Sequence, residues 1–371
     1  MLRLATHAQR LERWLGAPMA EHLSAAMRDW YGPPIAVGGV PGNVWAMPGG
    51  DFRGRIAAGQ LSSALDFGVA RAERILRNMH RRSRGQCNAG FSSLSDLIAE
   101  ATAGKKRDIC FQKAGATGVV AVTNSLWGLG NQPAAGANAG GAPGGTVPTG
   151  ATTGAQYGLD NVSTDTRHFV AASVVASVAG NTLLLYDRLF AVNKTMASTA
   201  TEAVTGVPTR YQSTTGTDPD YIGGNFLFVE VGGTALAATA HNWTVCTYLD
   251  QGNAASTLPS LTGNASAIVR RLDHPVSQWF APLETGDVGV KALTQMQCSA
   301  SVATGVINFV IGHPLVWMPC PVANLACQVD GINTAFSLVR VFDAAALALL
   351  EVSKPATTAT TYTGFATFIH G

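Results

Sequence analysis

The sequence predicts a mainly β protein, with an antiparallel β-sandwich or jelly roll in its C-terminal half, preceded by a small helical region and a Gly/Ala-rich arm. Residues 165–371 contain ten short runs of β-branched and aromatic residues separated by Gly, Asp, Asn and Pro, as in antiparallel folds. Hydrophobic residues make up 47 % of the 371 positions, which is ample for a core. Charged residues make up only 13 %, about half the usual ~25 % of soluble domains.

The N-terminal region, residues 1–115, is predicted to be helical and basic. Its apolar residues recur every three or four positions, the period of an amphipathic helix. Residues 31–52 contain too many Pro and Gly for a helix, so we expect an extended segment there. Ser93 and Asp96 have capping-box spacing at the start of the last helix, and Gly104 should end it. The expected helices are Leu2–Leu15, Met19–Trp30, Ser63–Arg82 and Ser93–Ala103.

An arm rich in Gly, Ala, Pro and Thr is predicted over residues 116–164. Between Pro133 and Ala155, 21 of 23 residues are of these four types. Such a composition is typical of a flexible linker. We expect neighbours in an assembly to hold it.

The body, residues 165–371, is predicted to form the sandwich from ten candidate strands. Ala344–Glu351 fits a strand or a short helix equally well. His274 and His313, each followed by proline, are expected in turns at strand ends. The six cysteines form no C-x-x-C pair, and buried free thiols are the default interpretation. The expected strands lie in RHFVAASVVASV, NTLLLYDRLFAV, GNFLFVEVGG, NWTVCTYLDQG, SAIVRRLDHP, VGVKALTQMQCSASV, GVINFVIGHPLVWM, NTAFSLVRVFD, ALALLEVS and TYTGFATFIHG.

Basic residues concentrate in the N-terminal region. Residues 1–115 contain 16 Lys and Arg against 9 Asp and Glu, whereas 116–371 contain 9 against 14. The basic side chains fit either a surface that binds phosphates or the carboxylates of a partner, or a solvated helix face; the low charge elsewhere favours the binding surface. The candidate partner-binding residues are Arg71, Arg74, Arg77, Arg81, Arg82, Arg84, Lys105, Lys106 and Arg107.

Catalytic and cofactor motifs are missing from the sequence. It has no phosphate loop, no G-x-G-x-x-G after a strand, no G-x-S-x-G and no H-E-x-x-H. Asp218 and Asp220 are better explained by a turn than by a cation site. No run of 18 apolar residues predicts a membrane span. We therefore expect no enzyme activity, cofactor, metal, small-molecule substrate or membrane partner.

Three parts of the sequence resemble virion structural proteins of tailed bacteriophages. They are GFSSLSDLIAEATAGKKRD followed by the arm, RHFVAASVVASVAGNTLLLYDRLFAVNKTM, and APLETGDVGVKALTQMQCSASVATGVINFVIGHPLVWMPCP. The resemblance extends over most of the chain in the general character of its segments, and it includes no diagnostic motif. The chain lacks the long, charged spine helix of major capsid proteins, so it is more similar to a minor capsid, cementing or decoration protein.

The resemblance implies a non-enzymatic structural role in a virion assembled in the host cytoplasm. Its partners would be copies of itself and other virion proteins, and non-specific contact with packaged nucleic acid stays open. A major capsid protein or a tail or neck component is the alternative within this class. From another class, a soluble carbohydrate-binding sandwich would use Trp243, Tyr248, Trp279 and Trp317, although core packing explains these aromatics at least as well.

Overall fold

The computed structural model divides the chain into two compact units, Met1–Leu76 and Arg77–Gly371. It describes residues 35–37, 40–44 and 91–371, the last range without 92, 116–119, 156–158, 160–161, 163–164, 213–223, 276–277, 335–337 and 353–356. In the first unit, β1 (Ile35–Val37) and β2 (Val40–Val44) form an antiparallel hairpin within the expected extended segment. The helices expected at Leu2–Leu15, Met19–Trp30 and Ser63–Arg82 lie outside the described residues.

The second unit is mainly β, and its strands form three antiparallel sheets. This confirms the predicted fold class. Sheet I has the order β15 (Ala326–Asp330), β6 (Arg167–Ala176), β17 (Thr361–His370), β3 (Lys106–Ala114) and β5 (Asn131–Gln132). Sheet II has the order β4 (Asn124–Ser125), β16 (Leu347–Val352), β7 (Asn181–Thr195), β14 (Val306–Cys320) and β9 (Phe226–Val231). Sheet III joins β11 (Ala255–Thr257), β10 (Asn242–Asp250), β13 (Val290–Cys298) and β8 (Glu202–Ala203), with β12 (Leu261–Thr262) also paired to β10.

Sheet II is the centre of the packing, because its two 15-residue strands β7 and β14 contribute to three apolar clusters. Leu183 and Leu185 pack with residues of sheet I. Phe190 and Val192 pack with residues of sheet III. The register of β7 against β14 shifts at Leu189, as in a β-bulge. On the opposite face, Leu184 belongs to a cluster that includes residues of the arm.

Helix α1 (Leu94–Thr102) confirms the helix expected at Ser93–Ala103. The hydroxyl of Ser93 accepts a hydrogen bond from the backbone N–H of Asp96 at 3.1 Å, which satisfies one free donor of the first turn. Gly104 has a φ of +86°, the left-handed conformation in which helices often end. Leu97 packs against Val170 and Ile369, so the helix lies on one face of sheet I.

Two expected strands are wrong in the residues described. In SAIVRRLDHP, Ser266 and Arg270 have φ values of 58° and 79°, which interrupt a pleated strand. Only isolated bridges form there, at Arg271 and Leu272. In NTAFSLVRVFD, the short helix α2 (Gly331–Thr334) is followed by a single bridge at Arg340.

The turn expected at His313 is also wrong, because His313 and Pro314 lie inside β14. Proline has no N–H to donate to a ladder and is tolerated at bulges or beside an open edge. Both conditions hold here: the register shifts between Pro314 and Val316, and the neighbouring strand β9 ends its pairing at Gly312. The missing donor therefore breaks no regular ladder bond.

Strand β3 lies within residues 1–115, for which helices and one extended segment, residues 31–52, are expected. Its alternation places Ile109, Phe111 and Lys113 inward and Cys110 outward. The thiol of Cys110 is exposed, which corrects the expectation that the cysteines are buried. Cys246, Cys298 and Cys320 are buried as expected.

The Ala344–Glu351 segment, which fitted a strand or a helix, forms most of strand β16. The division into 1–115, 116–164 and 165–371 stays a prediction.

Candidate interaction surfaces

Burial further lowers the number of charges on the surface of the arm and the body. Residues 116–371 contain 23 charged side chains. Among the residues that the structure describes, at least nine of these are buried. The buried ones are Arg167, Asp187, Arg188, Lys194, Arg210, Glu230, Asp273, Lys291 and Glu351. The outer surface of the body is therefore even less charged than its composition indicates.

One buried pair, Arg188 and Glu230, joins β7 to β9 across sheet II. The guanidinium of Arg188 donates to the carboxylate of Glu230 at 2.6 Å. Asn308 donates its side-chain amide to the same carboxylate oxygen at 3.1 Å. The guanidinium also lies 4.7 Å from the ring centroid of Trp127, a cation–π distance. Pairing and hydrogen bonds offset the cost of burying two charges.

A second buried pair, Asp187 and Arg210, is bidentate. Arg210 donates to the two carboxylate oxygens of Asp187 at 2.8 and 2.7 Å. One of these oxygens also accepts the backbone N–H of Ala346 at 2.8 Å. Arg210 donates in addition to the carbonyl of Pro148 in the arm, at 3.1 Å. The pair thus connects β7, the segment before β16, and the arm.

The described part of the Gly/Ala-rich arm lies on its own body. Its backbone bridges β7 at Gly141–Asn193 and Thr146–Ala191. The amide oxygen of Asn308 accepts the N–H of Ala139 at 3.2 Å. Lys113 donates to the carbonyls of Leu129 and Pro133 at 2.7 and 2.9 Å. The expectation that neighbours hold this segment is therefore corrected, because contacts within the chain already hold it.

The arm needs glycine where it closes over Trp127. A Cβ at Gly136 would overlap the indole ring, whose Nε1 donates to the carbonyl of Ala137 at 3.1 Å. Gly154 has a φ of +100° and approaches the backbone of Gly136. These two glycines thus permit close packing of the arm. The flexible linker that the composition predicts is not what this part of the arm forms.

Replacing Gly136 by alanine is expected to lower the free energy of unfolding by about 1–3 kcal/mol through overpacking. Release of the arm should also speed limited proteolysis between residues 133 and 155. Gly130 has open space around it, so Gly130→Ala is the matched control and should change neither quantity. Equal behaviour of the two variants would contradict the packing role of Gly136.

The second predicted basic cluster, Lys105–Arg107, precedes and begins β3. The ammonium of Lys105 lies 2.8 Å from Glu100 and 3.0 Å from Asp165, and these two carboxylates raise its pKa. Lys106 pairs with Asp108 at 2.9 Å, and Arg107 is exposed. Lys105 and Lys106 are thus paired within the chain. Arg71, Arg74, Arg77, Arg81, Arg82 and Arg84 lie outside the described residues, so their role stays a prediction.

The four aromatics considered for a carbohydrate site do not come together. Trp243 and Tyr248 are buried in the cluster between sheets II and III. Trp279 and Trp317 form an edge-to-face pair with ring centroids 5.0 Å apart, and Trp317 is exposed. Phe280, also exposed, lies 4.6 Å from Trp279 by ring centroids. Of the four, Trp279 and Trp317 are at least partly accessible, and together with Phe280 they form an aromatic patch.

The titratable groups of the body are mostly held in structural hydrogen bonds. The buried carboxylate of Asp273 accepts from His241 Nε2 and Trp243 Nε1, both at 2.9 Å, and from the backbone N–H of Asn264 at 2.6 Å. A cavity of about 210 Å³ lies between the arm and sheet II, and the carboxylate that lines it is the paired Glu230. Within the described part of the chain, no three His, Cys, Asp or Glu residues are grouped as for a metal ion.

No protein-family model matches the chain, and neither does any curated protein. Among solved structures, the structure of infectious bursal disease virus Gt strain is similar to this chain at 7 % sequence identity and a TM-score of 0.16. The match covers 71 % of this chain and 80 % of the chain in that structure. The VP2 subviral particle of the same virus is similar at 8 % identity and a TM-score of 0.15, with the same coverage. TM-scores this low do not establish a common fold. Over the described residues, the helices are too short or too polar to span a membrane.

Proposed function

We propose that the chain is a non-enzymatic structural subunit of a viral particle, present in the virion after assembly in the host cytoplasm. The observation that carries this proposal is the burial of at least nine of the 23 charges of residues 116–371. A surface with few charges can be covered by other subunits at little desolvation cost. Surface charge keeps a free protein soluble, and a protein that buries its charges loses this contribution to solubility.

Within this proposal, the chain is a minor capsid, cementing or decoration protein of a tailed phage, and its partners are copies of itself and other virion proteins. A major capsid protein or a tail or neck component is the alternative. The arm is engaged by its own body. Contacts with neighbours would therefore use the sheet faces and residues 1–90, where the six arginines between Arg71 and Arg84 could bind carboxylates of a partner or packaged nucleic acid.

A second candidate function is glycan binding, which the exposed aromatic patch of Trp279, Phe280 and Trp317 favours. Aromatic faces are common in ligand sites, where polar groups beside them set the orientation of the ligand. The two candidates predict different assembly states of the purified protein.

Sedimentation velocity of the full chain over a wide concentration range distinguishes these functions. A structural subunit is expected to form concentration-dependent oligomers, visible as rings or regular particles by electron microscopy. A stable monomer at every concentration that binds a glycan array, and loses this binding in Trp317→Ala, would contradict the virion proposal. Oligomers that bind no glycan would support it.

A further inference from the structure

Sheet I has one face buried against sheet II and an opposite face, here called the outer face, that the described residues leave partly open. Tyr362, Ala366 and Phe368 of β17 are buried in the cluster shared with sheet II. The alternate residues Thr363 and Phe365 point the other way and are exposed. Helix α1 covers only the end of the outer face near Ile369.

Two cross-strand rows make up the open part of the outer face; Ser173 is their one buried member, and neither row contains a charged residue. The first row is Gln132, Gln112, Thr363, Val175 and Ala326. The second row is Cys110, Phe365, Ser173 and Gln328. Phe365 is 40 % exposed, large and apolar, near the middle of the sheet. Charges begin only in the following row, at Asp108 and Asp330.

We propose that the outer face of sheet I is the surface through which two copies of this chain contact each other, with Phe365 as the central apolar contact. The inference rests on the proposed structural function and deepens it by assigning the contact surface. A two-fold contact places the same patch on both subunits, so each patch must be complementary to itself. The two uncharged rows satisfy this condition because their apposition brings no like charges together.

The distribution of charge along the chain also bears on a second candidate occupant, residues 1–90 of the same chain. That segment contains 12 Lys and Arg against 6 Asp and Glu. The basic stretches of this segment would lose hydration on the two rows, which offer no carboxylates to pair their cations, and burial of an unpaired charge is costly. A second copy of the uncharged face carries no such penalty.

The test compares Phe365→Asp, Phe365→Lys and their equimolar mixture with the wild-type full chain by sedimentation velocity. Each single variant places like charges on both sides of the contact and is expected to weaken self-association at least tenfold. In the mixture, an aspartate on one copy faces the lysine of the other, so association should recover. Val288, which is 61 % exposed outside sheet I, provides the matched control Val288→Asp, which should associate like wild type.

Each outcome has a defined meaning. Unchanged association of both Phe365 variants would overturn the proposal. A mixture that associates as weakly as the single variants would also overturn it, because the face would then contact something other than itself. Equal urea midpoints for all variants establish that the body stays folded. A wild-type chain that remains monomeric would contradict the proposed function as well, whereas a normal oligomer insensitive to residue 365 would contradict this surface alone.

Discussion

Glu230→Gln is expected to lower the free energy of unfolding by about 3–5 kcal/mol, because it leaves the Arg188 cation buried without a counter-charge. Both side chains are buried, with exposed fractions of 1 % for Arg188 and 5 % for Glu230, so bulk solvent compensates little for the lost carboxylate. The amide of Asn308 would lose its charged acceptor as well. The measurement is the urea unfolding midpoint, with the denaturant dependence checked for constancy.

Two further variants test whether the loss comes from the unpaired charge. Asp108→Asn breaks the exposed pair of Lys106 and Asp108, which should cost less than about 1 kcal/mol. The double variant Arg188→Met with Glu230→Leu removes both charges and should regain most of the stability lost in Glu230→Gln. A midpoint for Glu230→Gln as high as that of Asp108→Asn would contradict the burial of this pair.

Lowering the pH from 7 to 5 is expected to destabilise the body by about 4 kcal/mol through His274 and His313, about 2 kcal/mol for each. Burial lowers the pKa of His274 to about 4 and that of His313 to about 3. In the unfolded chain both would have a pKa of about 6.5. Between these values the unfolded state binds protons that the folded state excludes, so stability falls as the pH falls.

The surroundings of the two rings explain why the neutral forms persist. His274 Nε2 accepts the backbone N–H of Val229 at 2.7 Å, which requires an unprotonated nitrogen. His313 stacks on Tyr211 with ring centroids 3.8 Å apart, and its Nδ1 bonds the amide oxygen of Asn225 at 2.8 Å. Asp273, which favours protonation of His274, does not outweigh its burial.

The pH effect is measured by urea unfolding at pH 7, 6 and 5. Asp273 favours the protonated form of His241, whose pKa is raised, so His241 offsets part of the loss. The variant His313→Gln should remove about 2 kcal/mol of the dependence, and His168, whose pKa burial lowers to about 4, adds a similar loss in both proteins. A free energy of unfolding that is constant between pH 7 and 5 in the wild type would contradict the burial of both histidines as neutral rings.

The strands of the body were largely predictable because their residues alternate or form apolar runs over local stretches. Strands β6, β9, β10, β13, β16 and β17 fall within the expected runs, and β7 and β14 begin within theirs and extend past the end. Strand β3 also carries the signal, an alternation of Ile109, Phe111 and Lys113, but the neighbouring helical pattern obscured it. The loop around Arg270 has apolar residues at strand-like spacing, and only its positive φ values remove it from the sheet.

The interaction surfaces were less predictable. A charged pair inside an apolar run, Asp187 and Arg188 in NTLLLYDRLFAV, signals burial, but its partners Arg210 and Glu230 lie 23 and 42 positions away. The neutral outer face is assembled from β5, β3, β17, β6 and β15, which are distant in the chain. No local pattern shows that the outward residues of the two open rows are all uncharged.

The sequence by itself determined that the body is mainly β, that a capped helix occupies Ser93–Ala103, and that the chain is poor in charge, since these properties depend on local periodicity and composition. Tertiary structure alone decided where the remaining charges lie and what the glycine-rich arm does. Ion pairing and close packing depend on which distant segments meet. The same glycines that would make a free chain flexible allow the arm to pack against Trp127 and β7.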